Sequence, residues 1–142
     1  MLIKLRHTEL VAASPEHLFE VLTNYPAYPQ SNPNVVSARV IHRDDQTAEV
    51  EAERKTLIGP KVRFTDTFAP KPLLQFSRRY ANNPTAKSLW TVEPAFNGQS
   101  YFTISAEMTL PFFQGIVMRP LLKRMFYKIN FPPFIHAGAL TP

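Results

Sequence analysis

Residues 11–36 read V-A-A-S-P-E-H-L-F-E-V-L-T-N-Y-P-A-Y-P-Q-S-N-P-N-V-V. Ser14 can accept a hydrogen bond from a free backbone N–H of a first helical turn. Pro15 suits the first helical position, because its missing N–H would have had no intrahelical partner there. Leu18, Val21, Leu22 and Tyr25 then recur at the spacing of one helical face. A helix from Pro15 to about Asn24 is expected. Tyr25, Pro26, Tyr28, Pro29, Asn32 and Pro33 form an aromatic, proline-rich link, with a second short helical turn near Pro26–Ser31. Val35–His42 is β-branched and begins the next strand.

Upstream, Ile3–Ala12 mixes apolar and polar residues and reads as a first strand. Downstream, the period is two. Ala48, Val50 and Ala52 share one face of a strand, and Glu49, Glu51 and Glu53 the other. Val62, Phe64 and Phe68 alternate with Lys61, Arg63, Thr65 and Thr67. Leu74, Phe76 and Tyr80 share a face, as do Ser88, Trp90 and Val92. Phe102, Ile104, Ala106, Met108 and Leu110 close the run. Turn signals separate these strands: Asp44-Asp45, Gly59-Pro60, Pro70-Lys71-Pro72, Asn82-Asn83-Pro84 and Asn97-Gly98, the last suited to a tight hairpin. Short turns between alternating strands predict an antiparallel meander with one buried face. From Gly115 the period becomes helical. Met118, Leu121, Leu122, Met125 and Ile129 lie on one face, with Arg119, Lys123, Arg124, Tyr127 and Lys128 around the other. Pro120 either opens this helix or kinks it, and Phe131-Pro132-Pro133 ends it.

A strand, a capped helix, a Tyr/Pro link, a strand run and a long helix resemble the START-like, or SRPBCC, superfamily over almost the whole chain. Leu89-Trp90-Thr91-Val92-Glu93-Pro94 is similar to that superfamily's penultimate strand. Met118-Arg119-Pro120-Leu121-Leu122-Lys123-Arg124 is similar to the opening of its C-terminal helix. The resemblance is to the polyketide cyclase/dehydrase-like or coenzyme Q-binding-like subset. It implies an α+β helix-grip fold: a curved antiparallel sheet of about seven strands wrapped on a long C-terminal helix, with a short helical region between the first two strands. It also implies a hydrophobic small-molecule ligand, such as a lipid, an isoprenoid quinone or a polyketide.

The totals agree with one domain spanning residues 1–142. The chain is 44% hydrophobic, so a core is affordable without a bilayer-spanning run. M-L-I-K-L-R-H-T-E-L carries no secretory signal pattern, and the chain has no cysteine. A cytoplasmic location is the expectation, and thiolate chemistry and disulfides are excluded. The four glycines form no phosphate-binding loop. His7, His17, His42 and His136 sit at no metal-ligand spacing and read as packing or surface residues, so no metal and no cofactor are expected. No nucleophile elbow occurs. Simple hydrolase, kinase and dehydrogenase readings therefore lose their support.

The net charge is +5. No acidic residue follows Glu107, whereas Arg119, Lys123, Arg124 and Lys128 do. This basic helix has two readings: a solvated face, or contact with an anionic membrane through residues flanked by Phe126, Tyr127, Phe131 and Phe134. Lys55, Arg63, Arg79 and Lys87 fall on the sheet's outward phase, but Asp45, Glu49, Glu51 and Glu53 dilute them. Nucleic acid is not an expected partner.

Arg54, Asp66 and Arg78 fall in phase with the apolar faces of three successive strands. If the hairpins turn near Pro60 and Pro72, the three stand roughly abreast, as an Arg–Asp–Arg row on the concave side. Such a row suits the polar end of a mostly apolar ligand, or else a structural salt bridge. The strand candidates for a cavity lining are Arg54, Phe64, Asp66, Phe68, Phe76, Arg78, Tyr80, Trp90, Phe102 and Ile104. Met118, Leu122 and Met125 are the helix candidates. The aromatics among them also suit plain core packing. The leading expectation is a non-catalytic carrier or sensor. Second stands an aromatase/cyclase or dehydratase using Asp66, Arg54, Arg78 and Tyr80. Third stands a protein- or membrane-interaction module.

Overall fold

The computed structural model describes residues 1–55, 60–132 and 134–135, with only the backbone of 112–119 and 129. Gly59 and His136 lie outside the described residues, as does the side chain of Met118. The chain opens with β1 (Leu2–Val11), followed by α1 (Pro15–Thr23). Its cap forms as the sequence requires: the backbone N–H of His17 donates to Ser14 Oγ at 3.2 Å, with Pro15 in the first turn. Leu18 and Leu22 are fully buried. At the other end, Arg43 Nη1 donates to the Thr23 carbonyl at 2.7 Å, satisfying an oxygen that the helix leaves free. The link then makes a 3-10 turn over Tyr25–Ala27 and the short α2 (Tyr28–Ser31).

Six strands follow: β2 (Val35–Arg43), β3 (Thr47–Arg54), β4 (Lys61–Phe68), β5 (Leu74–Tyr80), β6 (Asn83–Pro94) and β7 (Ser100–Thr109). They form one antiparallel sheet in the order β1-β7-β6-β5-β4-β3-β2. The sheet is thus a meander whose last strand pairs with its first. The alternation read from the sequence is the burial pattern observed. Ala48, Val50, Ala52, Val62, Phe64, Phe76, Trp90, Val92, Phe102 and Ile104 all face a single core. Asn97 and Gly98, with φ of 57° and 70°, occupy the left-handed region, and Gln99 N–H donates to the Phe96 carbonyl at 3.2 Å. This is the tight turn that Asn-Gly favours between twisted strands.

One turn differs from the sequence reading. Asn82-Asn83-Pro84 signals a turn, yet β6 begins at Asn83, and Ala81-Asn82 makes the reversal. The β5–β6 pairing jumps from Arg79↔Lys87 to Tyr80↔Asn83, so residues 84–86 bulge out of register. Pro84 sits in that bulge, where its missing N–H removes no ladder bond.

The last element, α3 (Phe112–Asn130), runs through Pro120 as one helix. It packs along β1. Its inward stripe is rotated from the one expected. Leu122 and Phe126 are half-buried, whereas Leu121 and Met125 are 52% and 45% exposed. Beyond it, Phe131 and Phe134 are buried: Phe131 lies 5.0 Å from the Phe102 ring and Phe134 lies 5.7 Å from Trp90. These two rings belong to the core and are no part of an exposed aromatic flank. No described helix is long and apolar enough to cross a membrane.

Candidate functional site

Two features occupy the space between the sheet and the helices, and Trp90 divides them. The first is ionic. Asp66 on β4 stands directly opposite Arg78 on β5, because those strands fold about Pro72 as expected. Arg78 Nε donates to Asp66 Oδ1 at 2.8 Å, and Nη2 donates to Oδ2 at 2.9 Å. Tyr25 Oη donates to Oδ2 at 2.7 Å, and Arg78 Nη2 also donates to Tyr28 Oη at 3.0 Å. Tyr28 in turn donates to the Leu22 carbonyl. Asp66 is 0% exposed and Arg78 5%, so the pair is cut off from solvent. The guanidinium carbon also lies 4.1 Å from the Phe64 ring centroid and 4.5 Å from that of Trp90. The two link tyrosines thus fasten the α1–α2 segment to the sheet through one ion pair, Tyr25 on the carboxylate and Tyr28 on the guanidinium.

The electrostatics follow from this burial. Loss of solvent pushes the Arg78 guanidinium down; the Asp66 charge and its hydrogen bonds, with Tyr28 and Tyr80 beside it, together outweigh that and hold Arg78 well above its ordinary value. Burial, reinforced by the adjacent Asp66 charge, pushes the Tyr25 hydroxyl far up. Burial also pushes Tyr28 up, to about 12, against the opposing pull of Arg78. Both tyrosines therefore stay neutral in the fold at a pH where an unfolded chain ionises them. Their contribution to stability is complete below about pH 10, the free tyrosine value. It is lost as the pH rises from there, through about 12 for Tyr28 and still higher for Tyr25. We expect unfolding free energy, measured by urea denaturation, to fall as the pH rises above about 10, and to fall less steeply in Tyr25→Phe. A flat profile up to pH about 12 would contradict the assignment.

Arg54 does not join the row. The β3–β4 register pairs Ala48 with Asp66 and Glu53 with Lys61, so Ala48, and not Arg54, stands opposite Asp66. Arg54 ends β3, its N–H bonded to the Pro60 carbonyl at 2.6 Å. It is six residues, roughly 20 Å, along the strand from the position opposite Asp66. The expected Arg–Asp–Arg row is an Asp–Arg pair closed by two tyrosines.

The second feature is a cavity of about 200 Å³ between the sheet and α3. Of the sequence candidates, Tyr80, Trp90, Ile104, Leu122 and Met125 line it. Phe64, Phe76 and Phe102 are core residues, with Phe76 stacked on Trp90 at 5.4 Å. Phe68 is half-buried beside Phe76 and the Arg43 guanidinium. The sequence reading of the cavity missed Leu5, Ala86, Ala106, Met108 and Phe126, which extend the apolar wall, and Ser88 among them. The signal for Ala86 and Ser88 was their size. Small residues at inward strand positions leave space where neighbouring strands place rings. The polar groups in the wall are few. Trp90 Nε1 donates to Ser88 Oγ at 2.9 Å, and Asn130 Nδ2 donates to the Phe126 carbonyl at 3.0 Å. Lys87 and Glu107 stand at the rim as an ion pair of 2.6 Å.

Among the described residues, no cluster of His, Asp and Glu could hold a metal ion. His7 packs edge-on to Tyr127 at 4.8 Å and to Phe131 at 4.7 Å, with its Nε2 2.6 Å from Glu9. It is a packing histidine, as its sequence context suggests.

The order of elements, the sheet that closes on its first strand, and a cavity under the last helix are the parts of a helix-grip protein. The family model described as polyketide cyclase/dehydrase and lipid transport matches residues 3–129. This chain belongs to that family. The START-like, SRPBCC resemblance of the sequence is thereby established. Among solved structures, a START superfamily protein from Mycobacterium smegmatis is similar at 14% identity, with 98% of this chain and 99% of that one covered and a TM-score of 0.76. The Zhui aromatase/cyclase from Streptomyces sp. R1128 is similar at 12% identity, over 97% and 94% of the two chains, with a TM-score of 0.72. Norcoclaurine synthase from Thalictrum flavum, solved in complex with dopamine and hydroxybenzaldehyde, is similar at 10% identity over 100% and 89%, with a TM-score of 0.78. Comparison with curated proteins gives no significant match. For this polyketide cyclase/dehydrase and lipid transport family member, the likenesses define the fold, and the residues of the cavity must carry the argument for function.

Proposed function

We propose that this family member is a non-catalytic carrier or sensor that holds a compact hydrophobic molecule between the sheet and α3. The observation that carries the reading is the division made by Trp90. On one side lies an apolar cavity with a few polar groups in its wall, the composition of a small-molecule site. On the other lies the Asp66–Arg78 pair, which the cyclase reading would recruit for proton transfer; of that reading's four residues, Tyr80 is the one that lines the cavity. The pair's carboxylate already accepts three hydrogen bonds, and it is shut off from solvent. A general acid or base must reach the proton it moves. The rim pair Lys87–Glu107 is the charged pair that lines the cavity, and its two charges are spent on each other.

Size narrows the ligand. An apolar cavity of about 150 Å³ accepts benzene, so about 200 Å³ suits one or two fused rings or a short acyl segment. A full isoprenoid tail would have to displace α3.

Trp90 is the only tryptophan of the chain and lines the cavity, so its emission reports occupancy directly. Titration with menadione, a two-ring quinone, and with decanoate, a short acyl chain, is expected to give saturable changes. Affinity should be roughly micromolar. The chain has no cysteine for the quinone to alkylate. Absence of both an emission change and a thermal shift with either probe would sink the reading.

A further inference from the structure

The reverse side of the same strands carries a second concavity. On the outer face of β1, β7, β6 and β5, the register lays out one row as Lys4, Glu107, Lys87 and Arg79. The adjacent row is Arg6, Ser105, Leu89 and Ser77. These residues line a groove of about 570 Å³. Strands lie about 4.8 Å apart, so Lys4 and Arg79 are separated by roughly 14 Å across the sheet, with Arg6 about 7 Å along β1 from Lys4.

The charge is uneven over the outer face. On β2–β4 the two outward arginines are paired: Arg63 lies 3.0 Å from Glu51 and 3.7 Å from Glu49, and Arg39 lies 3.5 Å from Glu51, while Glu53 stands opposite Lys61 across the strands. In the groove, four cations face one carboxylate, and Glu107 is already held by Lys87 at 2.6 Å. No described carboxylate lies within ion-pair distance of Lys4, Arg6 or Arg79.

We propose that this groove binds a small soluble ligand bearing a chain of two or three phosphates. Two arginine forks match phosphate oxygens in pairs, and the Ser77 and Ser105 hydroxyls add donors between them. Cations spread over roughly 7–14 Å exceed the reach of one phosphate and suit several in series. The shape and lining select against other polyanions. No aromatic ring lines the groove, so single-stranded nucleic acid would find no stacking platform. A bilayer surface or a duplex is too broad to enter a concavity on the face of four strands.

The test is calorimetric titration of the full chain with tripolyphosphate, at about 0.05 M and about 0.2 M salt. One-to-one binding is expected, several-fold weaker at the higher salt. Arg6→Ala and Arg79→Ala should each weaken it about tenfold, as loss of a charged hydrogen-bonding partner does. Arg39→Ala, elsewhere on the same face, should leave it unchanged, and menadione binding read by Trp90 should be the same in all three variants. Equal loss in Arg39→Ala, or unchanged affinity in both groove variants, would overturn the site. So would binding of anionic vesicles or single-stranded RNA without binding of tripolyphosphate. The menadione readout separates failure of the groove from failure of the cavity.

Discussion

Arg78→Leu is expected to destabilise the protein by about 3–5 kcal/mol, because it leaves the Asp66 carboxylate buried and unpaired. Against a total of about 5–15 kcal/mol for a domain of this kind, that loss is enough to unfold much of the protein near physiological temperature. Several contacts go together. The substitution deletes both hydrogen bonds to Asp66, the one to Tyr28, and the stacking against Phe64 and Trp90. Urea denaturation followed by circular dichroism measures the cost. A loss below about 1 kcal/mol would mean that solvent reaches Asp66 after all. The complementary variant is Tyr25→Phe/Asp66→Leu/Arg78→Met, which removes the charges together with the hydroxyl that depends on them. Tyr28 keeps its bond to the Leu22 carbonyl. This triple variant should recover most of the loss, since well-packed apolar residues replace a buried ion pair at little or no cost. The comparison also decides the role of the pair. If Arg78 served the ligand, the triple variant would fold and fail to bind. If the pair fastens the α1–α2 segment to the sheet, it should fold and bind menadione as before.

Ala86→Phe should abolish menadione binding, with affinity falling at least about tenfold. Ala86 is buried in the bulge at the start of β6, and a phenyl ring built there enters the volume proposed for the ligand. Overpacking a filled core costs about 1–3 kcal/mol. A ring entering vacant space should cost less, so the fold is expected to survive. Leu122→Phe approaches the same space from α3, leaves Trp90 the only tryptophan, and tests the site independently if the strand variant is too crowded. Leu121→Ala, one residue away on the exposed side of the helix, should bind normally. If both cavity-filling variants bind menadione with undiminished affinity, the ligand does not sit under α3.

The groove proposed on the outer face has a different logic. The inner cavity is recognised by what it lacks in charge, the outer groove by an excess that neighbouring strands do not show. Lys87 and Glu107 border both, because the sheet between them is one strand layer thick. Salt should distinguish the two sites. Tripolyphosphate binding should weaken with ionic strength, while binding of an uncharged quinone should not.

Much of this protein could be read along the chain because the causes are local. Ser14 and Pro15 start α1 through groups within one helical turn. Asn97-Gly98 turns because its backbone tolerates the left-handed region. The inward faces of β3 to β7 follow from a steric period of two that each strand carries by itself. Asp66 and Arg78 could be paired from the sequence because Pro72 marks the turn between them. The family could be recognised from the order of these local units. Three things depended on residues distant in sequence. The β3–β4 register aligns Val50 with Phe64 and Ala52 with Val62, and it carried Arg54 away from Asp66. The rotation of α3 goes with its seat along β1, which turned Leu122 and Phe126 inward, left Leu121 exposed and put Met125, half exposed, at the open edge of the cavity. Tyr25, Tyr28, Phe131 and Phe134 read as link and tail, yet they close the core, because the space they fill is bounded by strands from the opposite half of the chain. Periodicity states which side of an element is apolar. Only the packed sheet and helix decide what that side meets, and so where a cavity is left.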